Sequence, residues 1–336
     1  MKRCLSQLPQ ATEKLVLFNP EKSIDLDLSE LEFDPSHTFD CGQTFRWRPI
    51  DGTKKEWLGI VRKFVFRVTK TKATVVLGAS DESIDSSTLL SYFSPYDSLD
   101  TIFESFPQDD FLSVATKEFR GLRILNQDPW ECLISFVCSI NKNIPSIRNE
   151  IEDLCGRFGK NIRTDFGTYR SFPEPESLAI ASKKELSACM VGFRWKYIKF
   201  IAEKVVSGEL DFNKIGTLSY EQARDCLLSD YSGITYGVGR KVADCELLFS
   251  MRKPEAFPID VWVLRCLREK YSKLLELKKI TQSERSLTPS SYRHYSEIMR
   301  KHFGRYAGYA QQYLYMKTRN DHLHSRKRAG LKGKAN

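Results

Sequence analysis

Histidine and methionine are both scarce in this 336-residue chain, at five each. None of the histidines (His37, His294, His302, His322, His324) pairs with acids or cysteines at a zinc-ligand spacing, so no metal centre is expected. The nine cysteines include no Cys-x-x-Cys. Their odd number and the lack of a secretion signal fit reduced thiols inside a cell. No stretch approaches the ~20 apolar residues that a membrane span needs, so no membrane partner is expected.

The composition is that of a soluble globular protein, 41% hydrophobic and 28% charged. The length suggests two domains with ample material for a core. The formal net charge of +9 and a pI near 9.0 fit a polyanionic partner, and nucleic acid is the usual one. Charge alone equally fits a merely basic protein.

Residues 1–20 read as a flexible N-terminus. From 21 to 107 the pattern is strand-like. The runs Glu56–Val61, Phe64–Val68 and Ala73–Leu77 are rich in β-branched and aromatic residues, with a turn at Lys70-Thr71-Lys72. This predicts an antiparallel sheet with one solvated face. From 108 to 318 helical periodicity takes over. Asp128-Pro129 reads as N-cap and first residue of a helix whose apolar run, Trp130 to Ile140, is buried on most sides. Amphipathic helices are predicted at Ile147–Phe158 and Pro175–Ala188. Residues 319–336 form a basic tail, expected to be disordered. The fold class is α+β, a sheet domain followed by a helical one.

Residues 233–262 carry the densest signal. Gly237-Val238-Gly239 predicts a tight hairpin whose bare N–H groups approach an anion. A helix follows from about Arg240 to Met251 with its N-terminus toward the hairpin. Lys241 and Cys245 lie one turn apart on the same face. Asp260 is placed to cap the next helix. Four further places stand out. Gly42 in Cys41-Gly42-Gln43-Thr44-Phe45-Arg46-Trp47 permits close backbone approach, or is simply a bulge glycine. Asn141 ends the buried helix in a run of polar amides that reads as a cap and turn. Phe193 and Arg194 open an aromatic and basic interleave that suits a base stack, or a core face beside a solvated one. Gln311 and Tyr315 share a helix face and can read and stack on a base, or pack a terminal helix.

Gly-Val-Gly followed by Lys-Val-Ala-Asp-Cys, then Pro-Ile-Asp-Val, resembles the helix-hairpin-helix DNA glycosylases, and among them the eukaryotic-type 8-oxoguanine DNA glycosylase/AP lyases. Cys41–Trp47, Arg120–Pro129 and Phe303–Gln311 resemble the same family, over about residues 25–320. The resemblance implies a helix-hairpin-helix glycosylase core acting on duplex DNA with oxidised guanine opposite cytosine. It implies Lys241 as Schiff-base nucleophile and Asp260 as its carboxylate partner. Gly42, Cys245, Gln311 and Tyr315 would hold the damaged base. Asn141, Phe193, Arg194, Gly237, Val238 and Gly239 would hold the DNA. It further implies a monomer without cofactor, in the nucleus or also the mitochondrion. Some relatives in the superfamily carry an iron–sulfur cluster, but here no cysteine follows Cys266.

The match departs in places. Thr235-Tyr236 replaces a Leu-Pro before the hairpin. Ser146 stands where the family has a second cytosine-reading arginine, which predicts a weaker preference for cytosine. Trp262 and Thr318 replace a histidine and an aspartate of one polar network, which predicts a repacked pocket edge. Two other readings remain: a glycosylase for another purine lesion, and a noncatalytic helix-hairpin-helix DNA-binding protein. The second gives no reason for Lys241, Asp260 and the pocket residues to occur together.

Overall fold

The computed structural model describes residues 23–76, 85–164, 167–228, 234–276 and 287–332. Its N-terminal part is a five-stranded antiparallel sheet in the order β1-β5-β4-β3-β2. The strands are β1 (Ser23–Asp27), β2 (Trp47–Pro49), β3 (Trp57–Val61), β4 (Phe64–Val68) and β5 (Lys72–Val76). The turn between β4 and β5 closes where Thr69 N–H donates to Lys72 O at 2.8 Å. Alternation along β3 and β4 sends Trp57, Phe64, Phe66 and Val68 to one face, where they pack with Trp47, Phe39 and Phe93.

The other face is not left to solvent as the sequence suggested. Leu58, Ile60 and Val65 point there, and Ile162 with Tyr169 covers them. Those two belong to a hairpin, β6 (Asn161–Thr164) with β7 (Gly167–Arg170), that comes from the helical part. Apolar residues at alternate positions on both faces demand this second cover.

The rest is helical, built around the core helix Pro129–Cys138. Asp128 caps it by accepting from Glu131 N–H at 2.9 Å, and Pro129 takes its first position. The core helix packs on the helix Arg240–Phe249, where the rings of Phe136 and Phe249 stack at 5.4 Å. The sheet and helical parts interlock: Cys41 and Phe45 from the first, and the helix Leu99–Glu104, pack into the helical core.

Two helix predictions need correction. Pro175–Ala188 is two helices, Pro175–Ile180 and Lys183–Ser187. Ser182 and Glu185 form a reciprocal capping box that starts the second one afresh. The basic tail is not disordered from residue 319, because the last helix runs from Ala307 to Lys332. Its first turns are buried, so the nucleation cost is met inside the core and the charged end only propagates. A Lys317–Asp321 pair at 2.7 Å adds local support. The predicted flexible N-terminus, 1–20, lies outside the described residues, as do 333–336.

Candidate active site

A cavity of about 840 Å³ opens where the core helix ends, and the two helices that follow the hairpin, with the C-terminal helix, form its other walls. Lys241 enters from the first turn of Arg240–Phe249. The hairpin before it is tight because Gly237 sits at φ +78, and a Cβ there would come within 2.4 Å of the Tyr197 ring. Lys241 Nζ donates to Ser139 Oγ at 2.9 Å and lies 4.7 Å from the Phe136 ring centroid. One turn on, Cys245 is buried, which pushes its thiol up to about 12 although Lys241 opposes the rise. Cys245 therefore stays a neutral thiol at pH 7 and offers no competing thiolate.

Asp260 caps the helix Val261–Lys270, accepting from Trp262 N–H at 2.9 Å and Val263 N–H at 2.8 Å. Burial holds its carboxyl above the usual carboxylate range, against those N–H groups and Lys241, which pull it down. Opposite, Gly42 sits at φ +77 and a Cβ on it would stand 2.9 Å from Tyr315 Oη. Gln311, one turn before Tyr315, is 3% exposed and its Oε1 has no hydrogen-bond partner. A buried acceptor of this kind is costly unless something arrives to donate to it.

Gly42, Asn141, Gly237, Gly239, Lys241, Cys245, Asp260, Gln311 and Tyr315 thus line one cavity. Asn141 is exposed at its edge with φ 56, a conformation that turns the chain sharply out of the core helix. Val238 is fully buried and anchors the hairpin from within. Phe193 is exposed, 5.8 Å from the Tyr197 ring that supports Gly237. Arg194 is 2% exposed, its guanidinium bonded to the carbonyls of Ile140 and Val191. Neither lines the cavity.

Residues 25–133 match the family model described as 8-oxoguanine DNA glycosylase, N-terminal domain. A probable N-glycosylase/DNA lyase of Methanothermobacter thermautotrophicus is 29% identical over 324 residues, covering 89% of this chain and 97% of the relative. The 8-oxoguanine glycosylase/lyase of Clostridium acetobutylicum, solved with double-stranded DNA containing cytosine opposite 8-oxoG, matches with a TM-score of 0.72. It is 29% identical and covers 86% of this chain and 93% of its own. MBOgg1, solved in complex with a low affinity DNA ligand, matches with a TM-score of 0.74. It is 31% identical and covers 90% of this chain and 99% of its own. The chain belongs to the 8-oxoguanine DNA glycosylase family. It is a DNA N-glycosylase with AP lyase activity.

Three wall residues of this family member carried no signal in the sequence. Ser139 and Phe136 hold the Lys241 nitrogen, yet Ser139 lies 102 positions away in the chain. Arg319 falls in the stretch read as a tail, but it lines the cavity and donates to Asp40 O at 3.0 Å. The departures at the pocket edge resolve differently. Trp262 lines the cavity, its ring 5.2 Å from His322 and 5.4 Å from the Arg265 guanidinium. An imidazole from the C-terminal helix thus stands beside the position where the family has one. Thr318 is buried and does not line the cavity.

Proposed function

We propose that this enzyme excises 8-oxoguanine from duplex DNA through a Schiff base on Lys241 and nicks the strand by β-elimination. The observation that carries this is one cavity whose wall brings together a lysine amine, a half-buried carboxylate, the Gly42 backbone and the Gln311 and Tyr315 side chains. The base is extruded into the cavity, since its bond to the sugar cannot be reached in the stack. There the Gly42 carbonyl accepts from N7–H of 8-oxoguanine and repels the N7 lone pair of guanine. Gln311 Oε1, without a partner in the protein, accepts from a donor on the base edge.

The unprotonated Lys241 amine attacks C1′ as the bond from C1′ to the base breaks, and the base leaves with the bonding pair. Opening of the sugar ring gives the imine. The imine acidifies C2′–H, loss of that proton forms the C2′–C3′ double bond, and the 3′ phosphate departs. Asp260 steadies the positive charge that develops on the sugar. Arginine in place of Lys241 would fail because it stays protonated.

On the opposite strand, Asn141 is the reader of cytosine, and Arg194, buried with its guanidinium on the carbonyls of Ile140 and Val191, holds the chain that presents it instead of reading the base itself. Ser146 adds no guanidinium there, so the preference for cytosine is proposed to be weaker than in relatives with an arginine at this place. The enzyme acts as a monomer on nuclear DNA, and the basic end of its last helix serves as a tether.

Borohydride trapping on an 8-oxoguanine duplex tests the reading, with Lys241→Gln beside the wild type. The expected result is a covalent complex that disappears in the variant and on undamaged DNA. Base release without trapping would assign the attack to water. Neither release nor trapping would move the assignment to another purine lesion.

A further inference from the structure

Asp244 lies one turn after Lys241 on the same helix and is fully buried. A buried carboxylate is costly unless several donors hold it. Two do. Tyr220 OH donates to Oδ1 at 2.6 Å, and Tyr292 OH donates to Oδ2 at 2.8 Å. The two tyrosines lead in different directions. Tyr220 belongs to the helix Tyr220–Leu227, and its ring is covered by the guanidinium of Arg300 at 3.7 Å. Tyr292 belongs to the helix Pro289–Phe303 and lines the cavity. Its oxygen also accepts from Ile259 N–H at 3.0 Å. Ile259 is the residue before Asp260.

The direction of this chain is fixed. Ile259 N–H has only a proton to give, so the Tyr292 oxygen accepts there. Its single proton must then go to Asp244. A carboxylate at 244, a phenol at 292 and an amide at 259 therefore connect the lysine helix to the cap of the aspartate helix in one unbroken line. We propose that Asp244 and Tyr292 are positioning residues that set the separation of Lys241 from Asp260. Neither touches the reacting atoms. The spacing they hold matters because a displacement of about 1 Å between reacting groups costs on the order of a hundredfold in rate.

The proposal rests on the lysine reading above, so its test uses a reaction that needs the lysine and not the lesion. Nicking of an abasic-site duplex is followed under single turnover, with DNA affinity and melting temperature measured on the same preparations. Lys241→Gln is expected to abolish nicking. Tyr292→Phe and Tyr220→Phe each remove one donor from Asp244 and are expected to lower the melting temperature alike. Only Tyr292→Phe breaks the line to Asp260. It is expected to slow nicking roughly tenfold or more at unchanged DNA affinity, while Tyr220→Phe keeps the wild-type rate. Equal slowing by both phenylalanines, or a wild-type rate in Tyr292→Phe, would overturn the positioning role and leave the lysine reading intact. Full nicking by Lys241→Gln would overturn both.

Discussion

Gly59 and Gly42 each stand against an aromatic side chain, one inside the sheet and the other on the cavity wall. A Cβ on Gly59 would reach within 2.3 Å of the Trp47 ring. That ring is 1% exposed, stacks on Phe39 at 3.8 Å and donates from Nε1 to Tyr92 OH at 2.9 Å. No room for a side chain remains between Gly59 and the ring, and its one polar atom is paired. A Cβ on Gly42 would press on the Tyr315 hydroxyl at 2.9 Å and touch Ile144 Cδ1 at 3.6 Å, both on the cavity wall. Nearby, Gln311 Oε1 and Gln312 Oε1 are buried without partners. The sheet uses a missing side chain to complete its packing. The cavity uses one to keep a carbonyl approachable. Unfilled space and unpaired acceptors in the second place, next to a filled first, mark where a ligand belongs.

Breaking the two glycines should separate activity from stability. Gly42→Ala is expected to lower 8-oxoguanine excision by roughly a hundredfold, since it shifts the carbonyl and Tyr315 together. Its backbone strain costs only about 1–2 kcal/mol, so the protein stays folded. Single-turnover excision beside a melting curve checks this, and excision at the wild-type rate would refute the base-binding role. Gly59→Ala should do the reverse. Overpacking against Trp47 costs about 1–3 kcal/mol and lowers the melting temperature, while excision per folded molecule is unchanged.

The smallest effect concerns pH. Glu246 sits on the lysine helix, fully buried, with Ser250 Oγ donating to its carboxyl at 2.7 Å. Burial pushes that carboxyl from 4.5 to about 8. The folded protein therefore keeps a proton that the unfolded chain gives up at 4.5. The contribution of this group to folded stability is then full below 4.5 and is lost as pH rises toward 8. Glu131, raised to about 7 by burial where the sheet meets the core helix, acts with the same sign. Glu246→Gln should end the fall near pH 7 instead of 8, as melting temperatures across pH 5 to 9 would show.

Local chemistry made much of this legible. The Asp128-Pro129 cap, the hairpin glycines and the Asp260 cap are each written in a few adjacent residues, and the structure has all three. The capping box at Ser182 and Glu185 was equally local, but a long apolar periodicity masked it. What the sequence did not reveal depends on chain-distant packing. The Ser139 bond to Lys241, the burial of Arg194 under Ile140 and the cover that β6 and β7 give the sheet join residues with no common local pattern.

One buried amide has a consequence for selectivity. Gln43, fully buried, donates from Nε2 to Thr38 O at 2.9 Å and Arg123 O at 2.8 Å, and accepts from Leu125 N–H at 2.9 Å. Its own carbonyl accepts from Gln127 Nε2 at 2.7 Å. The peptide unit that carries the Gly42 carbonyl ends on the nitrogen of this residue. A carbonyl free to swing would turn away from the lone pair of an intact guanine and admit it. Bolted through Gln43 to two separate stretches of chain, it is held in place, and under the proposed base contact refusal of the undamaged base becomes a matter of stiffness rather than of attraction.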